Sequence, residues 1–313
     1  MLLPSHAQQQ SVSGESNPVS IFFTVLDKDK HFVTTLRRED IRVVEDGVPQ
    51  EIVAFQQQTD QPLSIMIMLD TSVSQERVIP AAKQVASGFI DSIIRSGKDR
   101  IGIITFTGTA ELEQELTSDL NQVRQALERV EFKPPPGYAG GGLVFSKPPK
   151  SSTNQAVPGS TAIWDAVWFA SEKFFDQTSG KTRQAIILLT DGQDTGSKHK
   201  LNEAIERAIQ ANVPVYSIGI GDEYFGGTDE SSLRKVSERT GGRSFFPKKV
   251  KDLQAVFAEI EQELRSQYLI TYSPTINKGD GKLHKVKIEI VNPELRKQGL
   301  QLSHQQGYYA KKG

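Results

Sequence analysis

Residues 64–74 read Ser-Ile-Met-Ile-Met-Leu-Asp-Thr-Ser-Val-Ser, an unbroken apolar run that stops at Asp70 and opens into a cluster of hydroxyl side chains. A strand buried on both faces of a parallel sheet has this continuous apolar texture, whereas a half-solvated strand alternates. The same texture recurs at Arg100–Phe106, Ala185–Leu189 and Val213–Ile220. Between these runs the apolar period lengthens to that of a helix. Val78, Ala82, Val85, Ala86, Phe89, Ile90 and Ile93 mark one helical face, and Leu253, Val256, Phe257, Ile260 and Leu264 mark another. Further helices are expected over Asn121–Val130, Ala162–Phe175, Leu201–Ala211 and Ser231–Arg239. The fold class that follows is α/β, a doubly wound, mostly parallel sheet covered by helices on both faces.

Outward from this middle segment the pattern changes. Ile21–Val25, Ile41–Val44 and Glu51–Phe55 are short alternating runs, and Asp46-Gly47 between the last two signals a hairpin. Near the other end Tyr268–Tyr272, His284–Val291, Leu300–Ser303 and Tyr308-Tyr309 have the same texture. Neither end is large enough to bury a core alone, but together they approach the ~100 residues of an immunoglobulin-like sandwich. The expected organisation is therefore nested. Residues 18–62 plus 268–310 form a discontinuous β-sandwich, and residues 63–267 form the α/β domain inserted into it. Residues 1–17 read as either a disordered N-terminus or a signal-peptide remnant, since Ser5-His6-Ala7 places small residues at −3 and −1 of a cleavage site. On that reading the chain is exported, to the periplasm or the extracellular space. The connection Glu131–Ser160, rich in Pro, Gly and Ser, is far beyond the ~12–15 residues past which structureless loops become uncommon, and reads as a functional loop or a disordered insertion.

Composition narrows the chemistry. The 37 basic and 38 acidic residues nearly cancel, so no global field recommends nucleic acid or an anionic membrane as a partner. No run approaches the ~18 apolar residues of a membrane span. The absence of cysteine excludes disulfides, thiolate metal sites and a cysteine nucleophile. The five histidines show no metal-ligand spacing, and neither a G-x-S-x-G elbow nor a phosphate-binding G-x-x-x-x-G-K-[ST] loop occurs. Trp164 and Trp168, four apart on one helix, read as core packing.

What remains is oxygen chemistry at strand ends. Ligands of open α/β sheets bind beyond the carboxyl ends of the strands. Asp70 stands at one such end with Ser72 and Ser74 on the following turn, Asp191 stands at another in Thr190-Asp191-Gly192, and Thr161 precedes a helix after Gly159-Ser160. Carboxylates with neutral hydroxyls suit a hard divalent cation that keeps some water, Mg²⁺ or Mn²⁺ more than Zn²⁺. Taken singly, Ser72, Ser74 and Thr161 also read as helix caps and Asp191-Gly192 as a turn. Asp165 and Asp194 are candidates either for orienting ligands or for capping.

In order and context, the three segments Asp70–Ser74, Gly159–Ala166 and Thr190–Gly192 resemble the metal-ion-dependent adhesion site of von Willebrand factor type A domains. The resemblance covers about 63–267. The flanks, Asp46-Gly47 with Ile52–Phe55 and Gln306-Gly307-Tyr308-Tyr309-Ala310, resemble the acidobacterial-type von Willebrand A-related proteins. This resemblance implies that Ser72 and Ser74 ligate the metal through hydroxyls, and that Thr161, Asp70 and Asp191 do so directly or through water. The metal implied is Mg²⁺, or Mn²⁺ or Ca²⁺. A sixth position is left for an Asp or Glu of a protein partner, so that metal and partner bind together. The function implied is non-enzymatic, a metal-dependent protein-binding module of adhesion or assembly, with 131–160 bordering the site. Two alternatives belong to other classes: a metal-dependent phosphohydrolase with Asp70 as nucleophile, and a scaffold whose metal site is vestigial. The first wants a second Asp where the chain has Ser72.

Overall fold

The computed structural model describes residues 18–58, 61–95, 97–135, 137–139, 160–175, 182–221, 227–275 and 280–310. The N-terminal leader reading and most of the 131–160 connection lie outside these residues.

In chain order the strands are β1 (Val19–Leu26), β2 (Ile41–Glu45), β3 (Val48–Gln50), β4 (Ile52–Gln58), β5 (Leu63–Asp70), β6 (Arg100–Phe106), β7 (Ala110–Thr117), β8 (Arg183–Thr190), β9 (Val215–Gly219), β10 (Ser244–Phe245), β11 (Gln267–Tyr272), β12 (Leu283–Ile290), β13 (Gln301–His304) and β14 (Gly307–Tyr309). The helices are α1 (Ile79–Ile93), α2 (Leu120–Arg129), α3 (Ile163–Lys173), α4 (Leu201–Gln210), α5 (Glu230–Thr240), α6 (Leu253–Arg265) and the single-turn α7 (Pro293–Arg296).

The central sheet runs β10-β9-β8-β5-β6-β7, parallel except for β7 at the edge. All eight residues of β5 are buried, which is why its sequence is continuously apolar. Its side chains divide by the period of two. Ile65, Ile67 and Leu69 pack with α1, α2 and α6 on one face, and Met66 and Met68 pack with α3, α4 and α5 on the other. From β5 the chain crosses first to β6 on one side and later returns to β8 on the other side. The ends of β5 and β8 therefore flank the topological switch point where ligands of such sheets bind.

The edge strand β7 is not among the strands expected from the sequence. Its sequence, AELEQELT, is acidic, and most of its side chains are exposed or half-buried, so it lacks the apolar run that marks its neighbours. Charge on an edge strand keeps it from pairing with other chains.

The two chain ends build a second body of two four-stranded sheets, β13-β1-β11-β4 and β14-β12-β2-β3. β1 pairs with β11 and β13, and β12 pairs with β2, so both sheets interleave strands from before and after the central segment. Their shared core contains Phe23, Val25, Ile41, Val43, Tyr268, Ile270, Tyr272 and Ile288. The hairpin differs from the sequence expectation. Asp46-Gly47 joins β2 to the short β3, with Glu45 opposite Val48, and β4 departs to the other sheet against β11. Asp46 and Gly47 both have positive φ, 47° and 85°, the conformation of a two-residue hairpin turn. Such a turn pairs the residues that flank it, and Pro49 is tolerated because β3 is an edge.

Candidate metal centre

The loop after β5 is organised by Asp70 itself. Asp70 Oδ1 accepts a hydrogen bond from the Ser72 backbone N–H at 2.9 Å, an Asx-type turn that folds the chain back over the strand end. Ser72 then starts a 3₁₀ turn over Val73–Gln75, and its hydroxyl lies 3.1 Å from that of Ser74. Two further bonds fix the loop to the sheet: Thr71 N–H donates to Phe106 O at the end of β6 (2.9 Å), and the Gln75 amide donates to Ile220 O (3.0 Å).

The second segment follows β8. Thr190 Oγ1 donates to Asp70 Oδ2 at 2.6 Å and accepts from Gly192 N–H at 3.1 Å. Asp191 Oδ1 accepts from Gln193 N–H (3.0 Å), and its carbonyl accepts from Asp229 N–H (2.8 Å). Gly192 turns at φ +82°, and a Cβ there would meet Asp229 O and Leu233 Cγ at 3.0 Å, so this turn requires glycine.

The third segment carries Thr161 into α3. Thr161 N–H donates to Thr195 Oγ1 (2.9 Å), its carbonyl accepts from the N–H groups of Thr195 and Gly196, and Ala162 N–H donates to Thr107 O. Asp194 and Asp165 hold this segment from its far side. Asp194 Oδ1 accepts from Ile163 N–H at 2.8 Å and from Ser197 Oγ, capping α3. Asp165 accepts from the N–H groups of Lys198 and His199 and pairs with His199 Nδ1 at 2.7 Å. Neither carboxylate hydrogen-bonds any of the five candidate ligands; both fasten the β8–α4 loop to the start of α3. Trp164 lies in the core, whereas Trp168 is half-buried and stacks on His199 at 4.5 Å.

Asp70, Ser72, Thr161 and Asp191 are all buried, and Ser74 is half-buried. Burial, followed by the negative charge of Asp191, pushes the Asp70 carboxyl up to about 7, against the opposing bonds from Ser72 and Thr190. Among the described residues no Lys, Arg or His hydrogen-bonds either carboxylate. Two adjacent buried acids without a basic partner, edged by hydroxyls, fit a divalent cation bound through oxygen. Thr190, Thr195 and Ser197 are the participants missed in the sequence. Thr190 reads in the sequence only as part of a turn, and the other two meet Thr161 and the start of α3 from about thirty residues away.

A second cluster leaves no spacing in the sequence. Glu45, Asp46 and His284 offer ligand atoms within 4.8 Å of one another in the β-sandwich, brought together by pairing of β2 with β12. His284 Nδ1 lies 2.8 Å from Asp46 Oδ2 and Nε2 lies 3.2 Å from Asp280 Oδ1, while Tyr272 and Tyr308 donate to Glu45 Oε2. Both ring nitrogens face carboxylates, an arrangement that favours the imidazolium. Burial lowers the His284 pKa, but the bonds to Asp46 and Asp280 outweigh it and leave the ring above its ordinary value.

Two models of the von Willebrand factor type A domain match the chain, one over residues 65–193 and one over 151–259. A UPF0353 protein of Nocardia farcinica is 21% identical over 231 residues, 64% of this chain, and the chain spans 63% of that relative's length. A von Willebrand factor type A structure from Catenulispora acidiphila has a TM-score of 0.52 at 15% identity, covering 95% of this chain and 74% of that one. Mussel byssus proximal thread matrix protein 1, in a structure with a zinc-occupied MIDAS motif, gives a TM-score of 0.49 at 15% identity over 66% of this chain and 48% of that one. No helix among the described residues is long and apolar enough to cross a membrane.

Proposed function

Since this chain is a von Willebrand factor type A domain protein, we propose that it is a divalent-metal-dependent protein-binding module in which Asp70, Ser72, Ser74, Thr161 and Asp191 hold Mg²⁺, Mn²⁺ or Ca²⁺. The observation that carries this reading is the Ser72–Ser74 hydroxyl pair, 3.1 Å apart, beside two buried carboxylates with no basic partner among the described residues.

When bound, the ion supplies a positive centre with a position for an acidic side chain of the partner protein. The chain's own residues do the rest. Neutral hydroxyls from Ser72, Ser74 and Thr161 leave most of the ion's charge unquenched, so attraction for an incoming Asp or Glu stays high. The bonds from Thr71 to β6, from Gln75 to Ile220 and from Thr190 to Asp70 hold the loop in place without relying on the ligand. Specificity is assigned to the rim, where Tyr138, from the described part of the 131–160 connection, donates a hydrogen bond to Glu76, two residues beyond Ser74. The module acts by binding, not by turnover, in an exported protein of the periplasm or cell exterior.

Calorimetric titration of the metal-free protein with Mg²⁺, Mn²⁺ and Ca²⁺ tests the site. Saturable binding that Ser72→Ala and Asp70→Ala abolish is expected, and binding unchanged in both variants overturns the assignment. Capture of a partner from envelope extract should cease in EDTA. Turnover of an aryl phosphate that Asp70→Ala abolishes would replace this reading with a phosphohydrolase.

A further inference from the structure

Arg183 is the first residue of β8 and is only 2% exposed, yet none of Nε, Nη1 or Nη2 has a hydrogen-bond partner. Nη1 of Arg265 is buried and unpartnered as well. The two residues occupy the joint between the α/β sheet and the β-sandwich. Arg183 N–H donates to Pro62 O, on the link from β4 to β5, and Arg265 ends α6 just before β11 begins.

The carboxylates near this joint are already committed. Asp99 Oδ1 accepts from Leu63 N–H and Oδ2 accepts from Arg95 and, at 2.9 Å, from Arg265 Nη2. Glu263 accepts from Thr24 Oγ1 with one oxygen and from Arg243 with the other, and Glu259 also pairs with Arg243. Among the described residues, Asp99, Glu259 and Glu263 thus accept from Arg95, Arg243 and Arg265, and none of the three accepts from the Arg183 guanidinium.

A buried ion without a partner is strongly unfavourable, and a guanidinium does not escape by releasing its proton near neutrality. Burial, then repulsion from Arg265, lowers the Arg183 pKa only to about 10. An aromatic face does not compensate it either, since the cation–π contacts among the described residues belong to Arg234 over Phe246 and Arg243 over Phe245. Water would meet the donors but leave the charge.

We propose that a small monovalent anion, chloride in ordinary solution, is bound at this joint by the guanidinium groups of Arg183 and Arg265. The anion ties the amino end of β8 to the α6–β11 connection and so fixes the sandwich against the α/β sheet. The site is independent of the metal reading, because Arg183 and Thr190 stand at opposite ends of β8, about 23 Å apart along the strand.

Crystals of the full chain soaked in sodium bromide test the proposal directly. An anomalous peak within hydrogen-bonding reach of the Arg183 guanidinium is expected, and water alone or a protein carboxylate in that place overturns it. In solution, thermal unfolding in EDTA with chloride exchanged for gluconate at fixed ionic strength should show Tm rising about 2–4 °C per tenfold chloride above its Kd. Arg183→Met should flatten that dependence. If the variant does not fold, the wild-type series and the bromide map decide. A Tm indifferent to chloride, or responsive only to phosphate, rejects a monovalent-anion site.

Discussion

Thr190 Oγ1 donates a 2.6 Å hydrogen bond to Asp70 Oδ2, joining the last residues of two neighbouring parallel strands, β8 and β5. The bond spans the switch point and restrains Asp70 through the carboxylate oxygen that the Ser72 N–H does not use. Thr190→Val keeps the shape and removes the donor. The metal-free protein is expected to lose about 1.5–3 kcal/mol, the range for a bond to a charged group, in urea unfolding at pH 8. Thr190→Ser should restore most of it. A Thr190→Val protein as stable as wild type would mean that Asp70 does not depend on this donor.

Metal binding should appear as stability, because the proposed ligands come from three segments that are far apart in the unfolded chain. At a free Mg²⁺ concentration one hundred times its Kd, the folded state should gain about 2.7 kcal/mol over the EDTA-treated protein. Ser72→Ala should remove most of that gain at a cost of about 1–3 kcal/mol to the EDTA-treated protein, since the Ser72 hydroxyl meets that of Ser74 and also bonds the Asp70 carboxylate. Equal Mg²⁺ stabilisation of wild type and variant would place the ion elsewhere, with the Glu45–Asp46–His284 cluster the next candidate.

The strand ends that carry Asp70 and Thr190-Asp191 are legible in the sequence because a buried parallel strand is continuously apolar and its end is therefore visible as the first polar residue. The sequence discloses the joining of the two chain ends for a similar reason: alternating strands too few to bury a core must find partners. It conceals what depends on long-range proximity. Ser197 meets the N–H groups of Trp164 and Asp165 across more than thirty residues, and His284 meets Asp46 across 238. Neither pairing leaves a spacing to read. β7 and β3 are concealed for a different reason, since edge strands are specified by their neighbours' free backbone groups and carry little apolar pattern of their own.

Asp99 ties acid stability to the domain joint. Its burial raises the carboxyl pKa, but the bonds from Arg95 and Arg265 and from the Arg95 and Leu63 N–H groups outweigh that and bring it down to about 2. A depressed carboxylate stabilises the fold above its unfolded pKa and loses that contribution as pH falls through the folded value. Unfolding measurements between pH 5 and pH 2 should therefore show a loss of about 2 kcal/mol from this group. Asp99→Asn should remove that part of the pH slope, and an unchanged acid limb would show that Asp99 is not the group responsible.

His284 acts in the opposite direction. Its folded pKa is raised, so its contribution is complete below the ordinary value near 6.5 and disappears as pH rises through the folded value. The expected result is a β-sandwich that loosens on the alkaline side, read as faster amide exchange in β2 and β12 at pH 9 than at pH 6 after correction for intrinsic rates. His284→Gln should cost about 1–3 kcal/mol at pH 6, where the imidazolium contacts are intact, and much less at pH 9. A cost independent of pH would assign the ring a packing role.

The interleaving of β1 with β11 and β13, and of β2 with β12, decides how the chain divides. We place the α/β domain at 63–267 and the sandwich at 18–62 plus 268–310. Residues 63–267 contain both faces of the central sheet and their helices, with two extensive apolar cores of their own. They should unfold cooperatively as an isolated fragment. The cost of excision falls at the joint, where Glu263 loses its bond from Thr24 while keeping Arg243. Removing one such donor costs about 1–3 kcal/mol, which a domain of this size withstands. Residues 18–62 alone should not fold, because β1 and β4 then lack β11 between them and β2 lacks β12. Circular dichroism and urea unfolding of the two fragments check both expectations. A stable fold formed by 18–62 alone would refute the nested division, because it would show that the first sheet does not need the strand that returns after α6.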